Sequence, residues 1–182
     1  MTGHTCGSGI AAILVSACLA TVSAQTPDFS GTWRLDEAKS KVVATAGIIG
    51  LIPAGAPRTL HITHPANGSV VIESQINEAH VRIYKPGRET STPAGQGGAV
   101  TMTSRWDGRT LVSEGAMKAP NGDITTVREV IALGADGKTL TMEVTTTPVG
   151  QAEKVSSSLV YTKTTDVGPC ESWPTPCKRF PY

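Results

Sequence analysis

From Ala99 to Lys163 apolar and polar residues alternate in short runs separated by turn residues, the period-two pattern of strands with one buried face. Two of the breaks are nearly the same phrase, Trp106-Asp107-Gly108-Arg109-Thr110-Leu111 and Ala135-Asp136-Gly137-Lys138-Thr139-Leu140, each with Asp-Gly between alternating apolar positions. Asp-Gly in that setting signals a tight hairpin, because primed turns need positive φ at both central residues. Further hairpins are expected at Pro120-Asn121-Gly122-Asp123 and at Pro148-Val149-Gly150-Gln151. Links this short join antiparallel neighbours, so the segment reads as a meander of about five strands. Upstream, Arg58 to His64, Ser69 to Ile76 and Ala79 to Tyr84 alternate in the same way and are rich in β-branched residues, with an Asn67-Gly68 turn between the first two. Pro86 to Gly98 reads as a long loop holding one short strand around Arg88 to Thr92. With Gly31 to Asp36 the count is about ten. A sheet of this kind has two edges and one apolar face, and rolling it into a closed barrel solves both problems. The expected fold is all-β, an antiparallel up-and-down barrel of about eight to ten strands.

Charged positions inside these strands refine the picture. Arg82, Arg105, Glu114, Arg128 and Glu143 alternate with apolar neighbours, which assigns most of them to the wet face. Arg128 stands apart: it shares a parity with Ile124, Thr126, Val130 and Ala132, while Val127, Ile131 and Leu133 take the other, so its strand is apolar on both faces. Either Arg128 turns into the barrel, where a guanidinium can meet a ligand carboxylate bidentately, or it lies on the surface under a covering loop or tail.

Composition fits one turn-rich domain: 182 residues, 39% hydrophobic, 17% charged, with 19 Gly and 12 Pro. The net charge is +1 and the basic residues are scattered, which argues against nucleic acid as a partner. Residues 1–24 hold no Asp, Glu, Lys or Arg, and the apolar run Ile10 to Ala20 suits a secretory signal better than a bilayer span. Val22-Ser23-Ala24 offers small residues for cleavage, giving a mature chain from Gln25. Val15-Ser16-Ala17-Cys18 resembles a bacterial lipobox, with Cys18 as the alternative, lipid-anchored N-terminus. No other stretch is long enough for a transmembrane helix. Near the C-terminus, Cys170 and Cys177 form an isolated pair, read as a disulfide in an oxidising compartment, secreted or periplasmic. The organisation is thus a signal peptide at 1–24, a barrel domain at 25–165 and a tail at 166–182 that carries four prolines with Trp173, Phe180 and Tyr182. That tail either folds back over the barrel or meets a partner.

At the first strand stands Phe29-Ser30-Gly31-Thr32-Trp33. Phe-x-Gly-x-Trp at this place resembles the N-terminal motif of the calycin superfamily, the lipocalins and fatty-acid-binding proteins, and Asp36-Glu37-Ala38-Lys39-Ser40 resembles the small lipocalin-like domains of secreted bacterial proteins. The resemblance implies that Trp33 closes the barrel base under a basic side chain from a late strand, with Phe29 and Gly31 as structural residues of the same motif. Lys163 is the candidate here, where a lipocalin would usually show Arg. It also implies that Ile48, Ile49 and Leu51, in a stretch broken by Gly47, Gly50 and Pro53, stand where fatty-acid-binding proteins carry a helical lid. They form either a flap over the barrel mouth or a loop packed on its wall.

Catalytic and metal chemistry find little support. His61 and His64 are three apart on one strand and so point to opposite faces. Neither they nor His80 stand with a cysteine or a carboxylate pattern, so no metal site is expected. Gly95-Gln96-Gly97-Gly98 lacks the helix and the Lys-Ser or Lys-Thr pair of a phosphate loop. No Gly-x-Ser-x-Gly occurs, and no cofactor is implied. The leading expectation is a binding protein for a small, mostly apolar ligand, carrying a carboxylate if Arg128 faces inward, with Arg128, Ile48, Ile49 and Leu51 at the site. The alternative is a ligand-free envelope protein acting through its aromatic tail.

Overall fold

The computed structural model describes residues 26–43, 56–64, 68–75, 79–94, 98–147, 149–150 and 152–165. Ten strands follow in chain order: β1 (Gly31–Leu35), β2 (Thr59–Thr63), β3 (Val70–Gln75), β4 (Ala79–Tyr84), β5 (Glu89–Ala94), β6 (Gly98–Asp107), β7 (Thr110–Lys118), β8 (Ile124–Leu133), β9 (Thr139–Thr147) and β10 (Val155–Thr165). They form one antiparallel sheet in the order β4-β3-β2-β1-β10-β9-β8-β7-β6-β5, in which every neighbour but the β1–β10 pair is also a neighbour in sequence. The first strand therefore seals against the last, and the sheet rolls into a nearly closed up-and-down barrel. At the remaining seam β4 and β5 share no ladder among the described residues. They meet through a tight turn in which Arg88 N donates to Lys85 O at 2.9 Å, and Gly87 N docks that turn on β6 by donating to Ser104 O at 2.8 Å.

Alternation decides the two faces. On β9, Leu140, Met142, Val144 and Thr146 are buried, and Thr141 and Glu143 between them are exposed. The inner residues of successive strands join one core that includes Leu60, Ile62, Ile72, Met102, Leu111, Ile131, Leu140, Met142, Leu159 and Tyr161. Fully burying side chains of this size is worth roughly 1.5–3 kcal/mol each before the entropy of ordering the chain is charged against it. Two neighbouring strands approach closely at Gly115, where a Cβ would lie 1.9 Å from Thr101 O of β6. Only glycine allows that approach.

The two Asp-Gly phrases build different turns. Asp107 pairs with Thr110, so Gly108 and Arg109, not Asp107 and Gly108, make the two-residue connection. The second phrase is a longer link: Gly137 N donates to Gly134 O at 3.0 Å, and the Asp136 carboxylate accepts from Lys138 N at 2.9 Å, Thr139 N at 3.0 Å and the Thr139 hydroxyl at 2.8 Å. Those backbone donors hold the Asp136 carboxyl below its ordinary pKa. Residue identity placed both turns, but the register of the flanking strands chose their type.

At the start of β1 the Phe-x-Gly-x-Trp residues pack as one plug. Trp33 is fully buried and its indole Nε1 donates to Phe29 O at 2.9 Å. Lys163 of β10 lies opposite Trp33 in register, with its ammonium 5.5 Å from the ring centroid, a cation–π contact. Gly31 has φ 134, and a Cβ there would stand 2.5 Å from Lys163 Cε and 2.7 Å from Thr165 O. Both the backbone and the space demand glycine. Phe29 completes the plug against Trp106 at 5.5 Å and His64 at 5.6 Å between ring centroids.

Candidate ligand site in the barrel lumen

Across the lumen runs a buried polar strut. Arg82 of β4 donates from Nη1 to Glu129 Oε1 of β8, Tyr84 of β4 donates its hydroxyl to Glu129 Oε2 at 2.6 Å, and Arg82 Nη2 reaches Met142 Sδ of β9 at 3.9 Å. Strands β4 and β8 stand on facing walls of the ring, so this pair ties the walls together through the interior. The Glu129 side chain is wholly buried and that of Arg82 is 10% exposed. Burial disfavours the Arg82 cation, but the Glu129 carboxylate beside it outweighs that penalty and holds the guanidinium pKa above its usual value. Burial, with Glu129 beside it, pushes the Tyr84 hydroxyl well up, so Tyr84 stays a neutral donor. Tyr161, also raised by burial, donates to Pro57 O at 3.1 Å.

Glu129 sits in a row of inner positions that crosses the sheet: Ser104 on β6, Ser113 on β7, Glu129 on β8 and Val144 on β9 are successive register partners. The Ser104 and Ser113 hydroxyls, both buried, are 2.8 Å apart. One step along, Thr146 is 1% exposed, and its hydroxyl has no hydrogen-bond partner. Among the described residues the lumen thus combines an apolar wall, uncharged hydroxyls that include those of Ser104, Ser113 and Thr146, and the neutralised pair Arg82–Glu129. At the seam, a cleft of about 410 Å³ is lined by Val81, Ile83, Lys85, Glu89, Thr90, Ser91 and Thr92.

Placement of the charged strand residues corrects the sequence reading. Arg128 lies on the outer wall, 47% exposed, with Nε donating to Glu114 Oε1 at 3.1 Å, so it does not line the lumen. Glu114 also accepts from Arg105 at 2.8 Å. Arg82, assigned by alternation to the wet face, is the arginine inside. The cause is local ambiguity: β4 reads apolar at Val81 and Ile83 as well as at Tyr84, so its alternation fits either orientation. Glu129, Ser104 and Ser113 each interrupt a largely non-polar parity of their strands and Thr146 follows Val144 on another, so alternation alone does not mark them as a polar group of the interior. The one sequence signal for the strut was Glu129 itself, an acid on the parity of Val127 and Ile131.

Lys163, Trp33, Phe29 and Gly31 come together as the plug described above. Ile48, Ile49 and Leu51 lie outside the described residues, as do Cys170, Cys177, Cys18, the remainder of the tail and the proposed cleavage site. His61 and His64 part company. On the outer wall, His61 Nδ1 is 2.9 Å from the Thr32 hydroxyl, and burial pushes its pKa down to about 4. His64 accepts from Phe29 N at 3.3 Å beside the plug. Among the described residues no three His, Cys, Asp or Glu side chains gather as a metal site, and no helix is long and apolar enough to cross a membrane.

No protein-family model matches this sequence, and no curated protein is similar to it in sequence. Its fold has solved counterparts. A structure described as a REP1-NXSQ fatty acid transporter is similar with TM-score 0.53 at 14% identity, over 74% of this chain and 95% of that one. A tyrosine-to-phenylalanine mutant of the same transporter gives TM-score 0.51 at 14% identity, over 74% and 97%. The chain thus shares the fold of these structures, an antiparallel up-and-down barrel that in this protein has ten strands and is nearly closed.

Proposed function

We propose that the protein binds a small, mostly apolar molecule in the barrel lumen and carries it in a secretory compartment. The observation that carries this reading is the inner wall itself: a nearly closed ten-stranded barrel presents Met102, Met117 and Met142 among its buried residues, beside polar groups placed to orient a guest, which is the usual make-up of a small-molecule site. Similarity in fold to a fatty acid transporter agrees with it. Export rests on the apolar N-terminal run and the small residues at Val22 to Ala24, with the tail stapled by Cys170 and Cys177.

Titration of the delipidated protein with Nile red tests the binding reading. Saturable one-to-one binding is expected at micromolar concentration, about 8 kcal/mol. Ile48→Asp should weaken it if that segment covers the mouth, and Arg128→Ala should leave it unchanged. Intact mass of exported protein should give a chain starting at Gln25 with Cys170 and Cys177 linked. The Arg82–Glu129 strut, which occupies lumen space, favours a second reading in which the barrel is a ligand-free scaffold for the tail. Absence of any saturable binding would make that reading the better one.

A further inference from the structure

A ligand carboxylate entering this lumen would find its partners taken. Each oxygen of Glu129 already accepts from a donor, one from Arg82 and one from Tyr84. A second carboxylate would have to expel Glu129 from a site with no exposure, or be buried beside it as a like charge. Among the described side chains the other inward cation is Lys163, held at the barrel base over Trp33. What the lumen offers instead is uncharged. The Ser104 and Ser113 hydroxyls share one hydrogen bond, which leaves one O–H free to donate outward and lone pairs free to accept. Next along the wall is the Thr146 hydroxyl, fully buried and without a partner. A buried hydroxyl left unmatched costs free energy that a guest's polar group can recover.

We propose that the lumen takes an uncharged amphiphile, an apolar chain ending in an alcohol, amide or ester, and that Glu129 occupies the place at Arg82 and Tyr84 that a ligand carboxylate would need. This rests on the carrier reading. The headgroup lies against the Ser104, Ser113 and Thr146 row and the chain against the apolar wall. Glu129 then acts as a specificity determinant: it neutralises Arg82 and repels free acids.

The test is displacement of Nile red from the delipidated full chain by lauric acid, methyl laurate, lauryl alcohol and lauramide near neutral pH. The alcohol and amide are expected to compete at concentrations at least about tenfold below that of laurate. Glu129→Gln keeps the side chain's shape and frees the Arg82 charge, so it should strengthen laurate relative to the alcohol about tenfold. Circular dichroism reports whether that variant folds. Should it not, Thr146→Val, which removes the unpartnered hydroxyl, is expected to weaken the alcohol and amide several-fold, and a preference for them left undiminished overturns the inference. Laurate competing as well as the alcohol in the parent protein, a Glu129→Gln variant that folds with the ratio unchanged, or Nile red binding that no lauryl probe displaces overturns this inference and leaves the carrier reading standing. Absence of saturable Nile red binding by the folded protein overturns both.

Discussion

Arg128 and Glu129 are consecutive residues of β8, and they enter two ion-pair systems of opposite character. Outside, Glu114 bridges Arg105 and Arg128, all three about half exposed. Inside, Glu129, wholly buried, meets Arg82 and Tyr84, which keep little exposed surface. The outer trio gains little, because water and salt screen its charges and long side chains lose entropy when held. The inner pair has given up its hydration, so each charge depends on the other, and breaking the pair costs far more than the pair adds over apolar residues of similar size. One step along the chain thus separates a cosmetic contact from a committed one.

The largest effect should come from cutting the inner system on one side. Glu129→Ala leaves Arg82 buried without a counter-charge and is expected to destabilise by about 3–5 kcal/mol in urea unfolding. A loss below about 1 kcal/mol would show that water reaches the strut and would erase the contrast.

A slightly smaller effect sharpens the point that burial matters, whichever side of the wall a group is on. His61 is on the outer wall yet 2% exposed, with its pKa pushed down from 6.5 to about 4 by burial. A base depressed in the folded state is protonated first in the unfolded chain, so stability should fall as pH drops from about 6.5 toward 4, by about 3 kcal/mol over the window. His61→Asn should flatten that slope. Its cross-strand partner Glu73, with a pKa raised by burial, works with the opposite sign: the folded chain holds its proton to higher pH, so its contribution declines as pH rises through the raised value. Glu73→Gln should therefore steepen the acid-side fall. Urea midpoints at pH 5 and pH 7 measure both variants.

Removing the inner pair whole is a milder perturbation. Arg82→Met with Glu129→Met is expected within about 1 kcal/mol of the parent, or above it, because no orphaned charge remains. A loss as large as that of Glu129→Ala alone would mean that the strut stabilises on its own account. The smallest effect belongs outside. Glu114→Gln should barely move the midpoint, and whatever it moves should vanish in about 0.5 M NaCl, whereas salt should leave the Glu129→Ala loss in place.

Reading the chain from its pattern succeeded where the physics is local. The strands from β2 to β10, including the short β5 inside a Gly- and Pro-rich stretch, follow from alternation and turn residues a few positions apart. The base plug was legible through a resemblance, since Phe29, Gly31 and Trp33 match the calycin motif, which implied a basic partner from a late strand, and Lys163 falls at the end of one. The polar interior was not. Arg82 and Glu129 are 47 residues apart, and on each strand the neighbours are apolar at both parities, so alternation could seat the wrong arginine inside.

By itself, then, the sequence determined about ten antiparallel strands in an up-and-down barrel, because alternation and turn chemistry are decided within a few residues of each position, while the plug was legible through the resemblance of Phe29, Gly31 and Trp33 to the calycin motif. Only the tertiary structure decided which charges are buried. Burying a charge is tolerable only against a partner, and the partner of Arg82 stands on the far wall of a barrel that exists only once β1 has closed on β10.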